Sequence, residues 1–333
     1  MYQDVLHDYS PSGKERQWKE KKKRAELLSM VYANMARHES SIELAERYKK
    51  RAVRLTKCGR VLTFTVFSDG SKRLKKAQFC KLRLCCVCSW RRSLKIYANM
   101  TKIMEQLKRE REYRFLMITL TVRNCTGEEL NETILQMQKA YGLLYRRKEF
   151  AVIKGWYRGL EVTHNKKMNT YHPHYHVILA VNKSYFHLSS GDGYITQKKW
   201  VALWRSCMGL DYDPIVDVRK IYGNTVKAVS EVAKYTVKDS DFLDALDLDM
   251  SREAIRILDK ALEKKRLVAY GGILKEMHRR LNLGDEVDGD LTHIDEDKIR
   301  EGTEVLEETY IWNTGYGNYL RHYQKEVKRE EGS

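Results

Sequence analysis

Two histidines one residue apart, His174 and His176 in the run HPHYHVILAV, are the first residues in this chain whose spacing suggests chemistry. Side chains on a strand alternate between its faces, so both imidazoles project from the same side and can share one metal ion. Glu161 lies just upstream in GWYRGLEVT, flanked by apolar Leu160 and Val162. Pairing of the two strands would bring its carboxylate beside the histidines. Two imidazoles and a carboxylate leave positions on a divalent ion open for phosphate oxygens and water. In a nuclease that ion is Mn²⁺ or Mg²⁺, although the donor set would equally accept Zn²⁺ or Fe²⁺. An isolated H-x-H is more often two solvated side chains; the features that follow reverse that balance.

In EVAKYTVKDSD, Glu231, Tyr235 and Lys238 fall at i, i+4 and i+7, on one face of a helix. A nucleophile, a base and a cation are thereby aligned. A phenol with a pKa of about 10 is a weak nucleophile, and a nearby cation favours phenolate character as the new bond forms; Lys238 or the metal could serve. Such a set can cleave a phosphodiester: the tyrosine attacks in line, a phosphotyrosine keeps the bond energy, and a 3′ hydroxyl leaves able to prime synthesis.

Seven cysteines stand at 58, 80, 85, 86, 88, 125 and 207, an odd number with five crowded between 58 and 88. That count argues against a disulfide framework and for metal ligation. Cys58, Cys80, Cys85 and Cys88 offer four thiolates, with the C-x₂-C half-site usual for structural Zn²⁺. Cys86 is a fifth thiol, and spacing leaves open whether Cys85 or Cys86 is the ligand. Cys125 and Cys207 read as packing residues. Arg83, Arg91 and Arg92, with Lys81 and Lys95, surround the cluster and read as a DNA-contacting surface.

The net charge of +17 points to a polyanionic partner. It is +15 over residues 1–100, +9 over 101–240 and −7 over 241–333, which assigns nucleic-acid contact to the first two stretches. No stretch is apolar enough to span a bilayer, so membrane binding is not expected. The basic N-terminus lacks a secretory pattern, which makes the expected compartment the cytoplasm. No G-x-x-x-x-G-K-[ST] loop is present, which argues against an ATP-driven helicase.

The elements that must position these residues follow from periodicity. Residues 14–57 read as one or two helices and 61–67 with 74–79 as a hairpin. A helix to about residue 111 is followed by a strand at 115–122 and a helix at 128–148. A hairpin (155–163, 174–181), a helix (196–208), a strand (214–221) and a helix (224–239) come next. A helix is expected around 251–282, and 285–308 reads as an acidic linker or arm. This order describes an α+β fold, a central antiparallel sheet with flanking helices. We divide the chain into a basic N-terminal segment with the cysteine-rich zinc module (1–95), a catalytic domain (96–245) and a helical, acidic C-terminal segment (246–333).

FLMITLTVRN, HPHYHVILAV and EVAKYTVKDSD, in that order, resemble the three motifs of HUH-endonuclease replication initiators. The likeness is to the rolling-circle initiators of small plasmids of Gram-positive bacteria. It extends over about residues 12–283, taking in SGKERQWKEKKK, CKLRLCCVCSWRRSLK, WVALWRSCMGLDYDP and AYGGILKEMHRRLNL. The resemblance implies the HUH fold, metal ligation by His174 and His176, and nicking of the replication origin by Tyr235. It implies that Glu231 activates water or the closing step at termination, and that Lys238 is the lysine of a Y-x-x-K motif. Glu161 is carried over less firmly, because the third ligand varies in this superfamily. The implied partners are origin DNA, double- and single-stranded, and a host helicase and DNA polymerase; a homo-oligomer is compatible with this reading. A relaxase or transposase of the same chemistry, and a zinc-stabilised DNA-binding repressor without catalysis, are the alternatives.

Overall fold

The computed structural model describes residues 4–188, 193–221, 229, 230, 232, 233, 236–294 and 303–327. They form two compact units, and the chain passes between them more than once: one holds Met1–Lys95, Leu243–Arg252 and Asp288–Ser333, the other Ile96–Phe242 and Glu253–Val287.

In the first unit, helices α1 (Trp18–His38) and α2 (Ile42–Lys57) precede strands β1 (Val61–Phe67) and β2 (Lys72–Ala77). Ser41 starts α2 by accepting a hydrogen bond from the Leu44 amide. The hairpin continues into a four-stranded sheet whose other two strands come from the far end of the chain, β8 (Glu304–Asn313) and β9 (Asn318–Glu326), in the order β2-β1-β8-β9. Alternation in VLTFTVF puts Phe64 on the inner face, where Trp18 meets it edge-on at 6.2 Å and Tyr310 at 6.1 Å. Trp18 also meets Trp90 at 4.7 Å.

This sheet departs from the expected linker or arm. Strand β8 lies against β1, and its acidic side chains meet the basic ones of β2 across that strand: Glu308 with Lys72 at 2.7 Å, Glu304 with Arg73 at 2.7 Å, and Glu307 with Lys75. A run of carboxylates reads as solvated when the complementary cations lie more than 200 residues earlier in the chain.

The second unit is built on a five-stranded sheet, order β6-β3-β5-β4-β7, antiparallel at every pairing. Its strands are β3 (Arg114–Thr121), β4 (Ile153–Asn165), β5 (Thr170–Val181), β6 (Val216–Lys220) and β7 (Val268–Gly271). Its longer helices are α3 (Cys86–Arg111), α4 (Leu130–Leu144), α5 (Gln197–Met208), α6 (Leu248–Leu262) and α7 (Gly272–Arg280), of which α3 and α6 begin in the first unit. On one face Ile96, Met100, Ile103 and Met104 of α3, Leu274 and Met277 of α7, and Val229, Val232 and Ala233 cover Phe115, Tyr157, Ile178 and Ala180. On the other, Tyr141 of α4 meets Trp156 at 5.0 Å and Trp204 of α5 meets Tyr175 at 6.4 Å. The mixed helix-and-sheet architecture with antiparallel strands is the one expected. The single helix expected around 251–282 is instead α6, strand β7 and α7, and most of the helix expected at 224–239 lies outside the described residues.

The turn comes at Gly271-Gly272, where β7, paired along β4, passes straight into α7. A Cβ on Gly271 would fall 2.2 Å from the Trp156 ring, and one on Gly272, at φ +55°, 2.3 Å from the Lys154 carbonyl oxygen. We expect Gly272→Ala to cost about 2–4 kcal/mol of stability through combined clash and strain. A urea midpoint matching wild type would show that β7 can move off β4 without cost.

Candidate metal centres

Strand β5 is hydrogen-bonded on both sides. Its register sets His174 opposite Glu161 of β4 and Thr121 of β3, and His176 opposite Gly159 and Thr119. Alternation sends Tyr171 and Tyr175 to the opposite face, where both are fully buried. The Glu161 Oε2 atom lies 2.9 Å from His176 Nε2 and 3.4 Å from His174 Nε2, and all three residues are buried. An ion with bonds of about 2.1 Å in octahedral geometry needs neighbouring donors about 3 Å apart, so the spacing fits.

The other ring nitrogens are also engaged. His174 Nδ1 lies 3.1 Å from the His172 carbonyl oxygen and can donate to it, which fixes the ring with Nε2 turned toward Glu161. His176 Nδ1 lies 3.4 Å from Thr119 Oγ1, which can accept in the same way. Burial alone would raise the Glu161 carboxyl, but hydrogen bonds from His174 and His176 and their charge hold it well below the usual carboxylate range. Glu161 is therefore an anionic oxygen donor beside two oriented imidazoles, a set suited to a hard or borderline divalent ion.

Three neighbours of the site, Thr119, Thr121 and His172, were not singled out by the sequence alone. Thr119 and Thr121 are the polar positions, two apart, in the otherwise apolar FLMITLTV, and that period was the available signal for their facing the histidines. His172 extends the row, its ring 5.2 Å from that of His174 and its Nδ1 3.0 Å from Asn124 Oδ1. Tyr235 and Glu231 lie outside the described residues. The described residues around them lie on β4: the Val232 carbonyl oxygen accepts from Tyr157 Oη at 3.3 Å, and the Thr236 carbonyl oxygen from the Val162 amide at 2.7 Å. Lys238 is exposed.

In the first unit Cys58, Cys80, Cys85 and Cys88 converge, with sulfur–sulfur distances of 3.5 Å (Cys58–Cys88), 3.6 Å (Cys58–Cys85) and 3.7 Å (Cys80–Cys88). These exceed a disulfide bond and approach the edge of about 3.8 Å in a tetrahedron with zinc–sulfur bonds of about 2.3 Å. The Cys80 amide donates to Cys58 Sγ at 3.4 Å and the Lys81 amide to Cys88 Sγ at 3.2 Å, as suits thiolates. Burial would push Cys88 up, yet hydrogen bonds from the other three cysteines and the Arg92 charge take it well below the usual thiol value, while Cys58 is pushed well above it by its hydrogen bond with Cys80, and Cys85 by burial. Cys86 is outside the cluster, its sulfur 4.0 Å from the Leu84 carbonyl oxygen. Cys125 and Cys207 are buried elsewhere.

The expectation for the neighbouring arginines is corrected. Arg91 and Arg92 are 3% and 6% exposed. Arg91 donates to the Leu291 and Thr292 carbonyl oxygens at 2.9 Å each, and Arg92 to those of Leu82 at 3.0 Å and Lys81 at 2.6 Å. Their guanidinium groups hold loops together and are not offered to DNA. Arg83 is half-buried beside Asp288 at 3.9 Å.

This chain matches the family described as "Replication protein" over residues 71–320. It is 39% identical over 336 residues to a "Protein rep" of Bacillus amyloliquefaciens, spanning 95% of this chain and 97% of that protein. A "Protein rep" of Streptococcus pneumoniae is 36% identical over 323 residues, with 95% of each chain covered. A third, from Lactiplantibacillus plantarum, is 35% identical over 329 residues, covering 95% and 99%. No solved structure matches the chain. The chain belongs to this family of replication proteins, as its resemblance to plasmid initiators led us to expect. Among the described residues no helix is long and apolar enough to cross a membrane.

The cysteine geometry separates two neighbouring thiols. Cys86→Ser should keep one tightly bound metal ion per cluster by elemental analysis after gel filtration, whereas Cys85→Ser should lose it; equal retention in both would remove Cys85 as a ligand.

Proposed function

We propose that this chain starts rolling-circle replication of a plasmid by nicking one strand of its origin, using the HUH fold for residues 96–245. The observation that carries the reading is the Glu161, His174 and His176 cluster, with its Nε2 atoms directed at one carboxylate oxygen and its far nitrogens engaged by His172 and Thr119.

In this reading the three residues hold Mn²⁺ or Mg²⁺, which when bound polarises the scissile phosphate. The phenol oxygen of Tyr235 bonds to phosphorus, and the bond from phosphorus to the 3′ oxygen breaks, leaving a 5′-phosphotyrosine and a free 3′ hydroxyl once that oxygen takes up a proton. Lys238 favours phenolate character in Tyr235 and stabilises charge on the phosphate. At termination Glu231 takes a proton from water, or assists the closing transfer, so the covalent adduct is resolved and the strand released. The four cysteines hold a structural Zn²⁺. Origin DNA is the substrate in duplex and single-stranded form, and a host helicase and DNA polymerase in the bacterial cytoplasm extend the released 3′ end. The chain acts alone or as a homo-oligomer.

The test is incubation of supercoiled plasmid bearing the cognate origin with Mn²⁺ or Mg²⁺. Wild type should convert it to the open-circular form with protein attached at a 5′ end. Tyr235→Phe should lose both, and His176→Ala should slow nicking by at least about 100-fold. Nicking that survives Tyr235→Phe would place the nucleophile elsewhere. Origin binding without any nicking would favour a regulatory DNA-binding protein.

A further inference from the structure

The charge of the first unit is unevenly spent. On β2, Lys72, Arg73 and Lys75 are each engaged by a carboxylate of β8. Lys76, the next residue, stands opposite Thr63 beyond a bulge in β2 and lines an open cleft of about 410 Å³ with Lys57, Arg60, Val61, Thr63, Ala77 and Gln78. Lys57, Arg60, Lys76 and Gln78 are exposed. Among the described residues the lining of the cleft includes no acidic or aromatic side chain; the carboxylate nearest in effect is Glu307, bonded to Lys75, whose charge Lys76 also meets.

Its walls are fixed from behind. One is the turn after α2, where Gly59 at φ +58° donates its amide to the Gln78 carbonyl oxygen at 2.7 Å and accepts from Tyr319 Oη at 2.5 Å. The Arg60 carbonyl oxygen accepts from the Trp312 amide at 2.9 Å. The other wall is the end of β2. Cys58, inside the first wall, and Cys80, two residues past Gln78, belong to the same four-sulfur cluster. The cluster therefore ties together the two segments that carry these cations.

From this we infer a second DNA-binding site, in which Lys57, Arg60 and Lys76, with Thr63 and Gln78, grip the phosphate backbone of duplex DNA. Three fixed cations with hydroxyl and amide donors match phosphate and sugar oxygens, which position a protein without reading sequence. A channel for single strands would offer aromatic faces for base stacking, and this lining offers none. The site rests on the reading as an origin-nicking protein only for the identity of the duplex.

The experiment measures binding and cleavage separately on the full chain. The Lys57→Gln, Arg60→Gln and Lys76→Gln substitutions are combined and compared with wild type and with an exposed control set, Lys260→Gln, Lys264→Gln and Lys275→Gln. A duplex origin fragment is titrated across a salt series, and cleavage of a single-stranded origin oligonucleotide is followed with Mn²⁺. Each lost phosphate contact lowers the slope of log affinity against log salt by about 0.9, so the triple variant should lose about 2.7 in slope and on the order of 100-fold in affinity at 0.1 M salt. The control should keep the wild-type slope, and single-strand cleavage should be unchanged in both. Wild-type slope and affinity in the cleft variant would overturn the site, as would an equal loss in the control. Failure of wild type to cleave while it binds duplex would count against the nicking reading and leave the binding comparison to decide this one.

Discussion

Strand β5 lies in the middle of five antiparallel strands, and its pairing with β3 and β4 is the constraint on which the histidine site rests. Slippage by one residue would carry His174 and His176 to the opposite face and bring Tyr175 into their place. Apolar packing forbids this on both sides: Ile178 and Ala180 share the histidine face and enter the core under α3 and α7, while Tyr171, Tyr175, Val177 and Leu179 are buried on the other. The ligands thus inherit their position from hydrophobic burial several residues away. The same register supplies Glu161 and Thr119 from the neighbouring strands, so the site is organised by the sheet and does not depend on flexible loops.

The first unit solves a different problem. Its sheet joins strands from opposite ends of the chain, and β1 must pair with β8 across more than 200 intervening residues. Closing so long a loop is entropically costly, and the contacts that offset this are long-range ones: the Phe64 to Tyr310 packing, the cross-sheet ion pairs, and Tyr319 reaching the Gly59 carbonyl oxygen beside the cysteine cluster. The acidic residues that close the chain therefore complete the fold by neutralising the basic hairpin near its start.

What the sequence discloses divides along that line. Period-two alternation over adjacent strands is local, and it suffices to set His174, His176 and Glu161 side by side. Long-range pairing is not local, and β8 and β9 carry no signal of their partner. Burial of charge is equally hidden: Arg91 and Arg92 look like a surface patch because composition counts charges without showing that backbone carbonyls receive them. The ambiguity between Cys85 and Cys86 is one of helix phase. Helix α3 begins at Cys86, so Cys86 and Cys88, two apart, point about 200° away from each other, whereas Cys85 and Cys88, three apart, lie on one side. Knowing where the helix starts would have favoured Cys85 over Cys86 beside Cys88.

Lys22 shows how the same cluster shapes its surroundings. Its side chain is wholly buried, and Nζ donates to the carbonyl oxygens of Thr56 and Cys58 at 2.9 Å each and of Leu55 at 3.5 Å. An ammonium group in such a place is costly unless negative charge surrounds it. Burial lowers the Lys22 pKa, and Cys58, Glu26, Cys85 and Cys80 oppose that shift. The carbonyls are those at the C-terminus of α2, where the helix dipole is negative, and four thiolates with a divalent ion would leave two negative charges behind them. With such an ion bound, lysine and cysteine cluster would each lower the cost of burying the other. Both act on the turn at residues 57–60, Lys22 through the Thr56 and Cys58 carbonyl oxygens and the cluster through Cys58, so the backbone that presents Lys57 and Arg60 outward is held from inside.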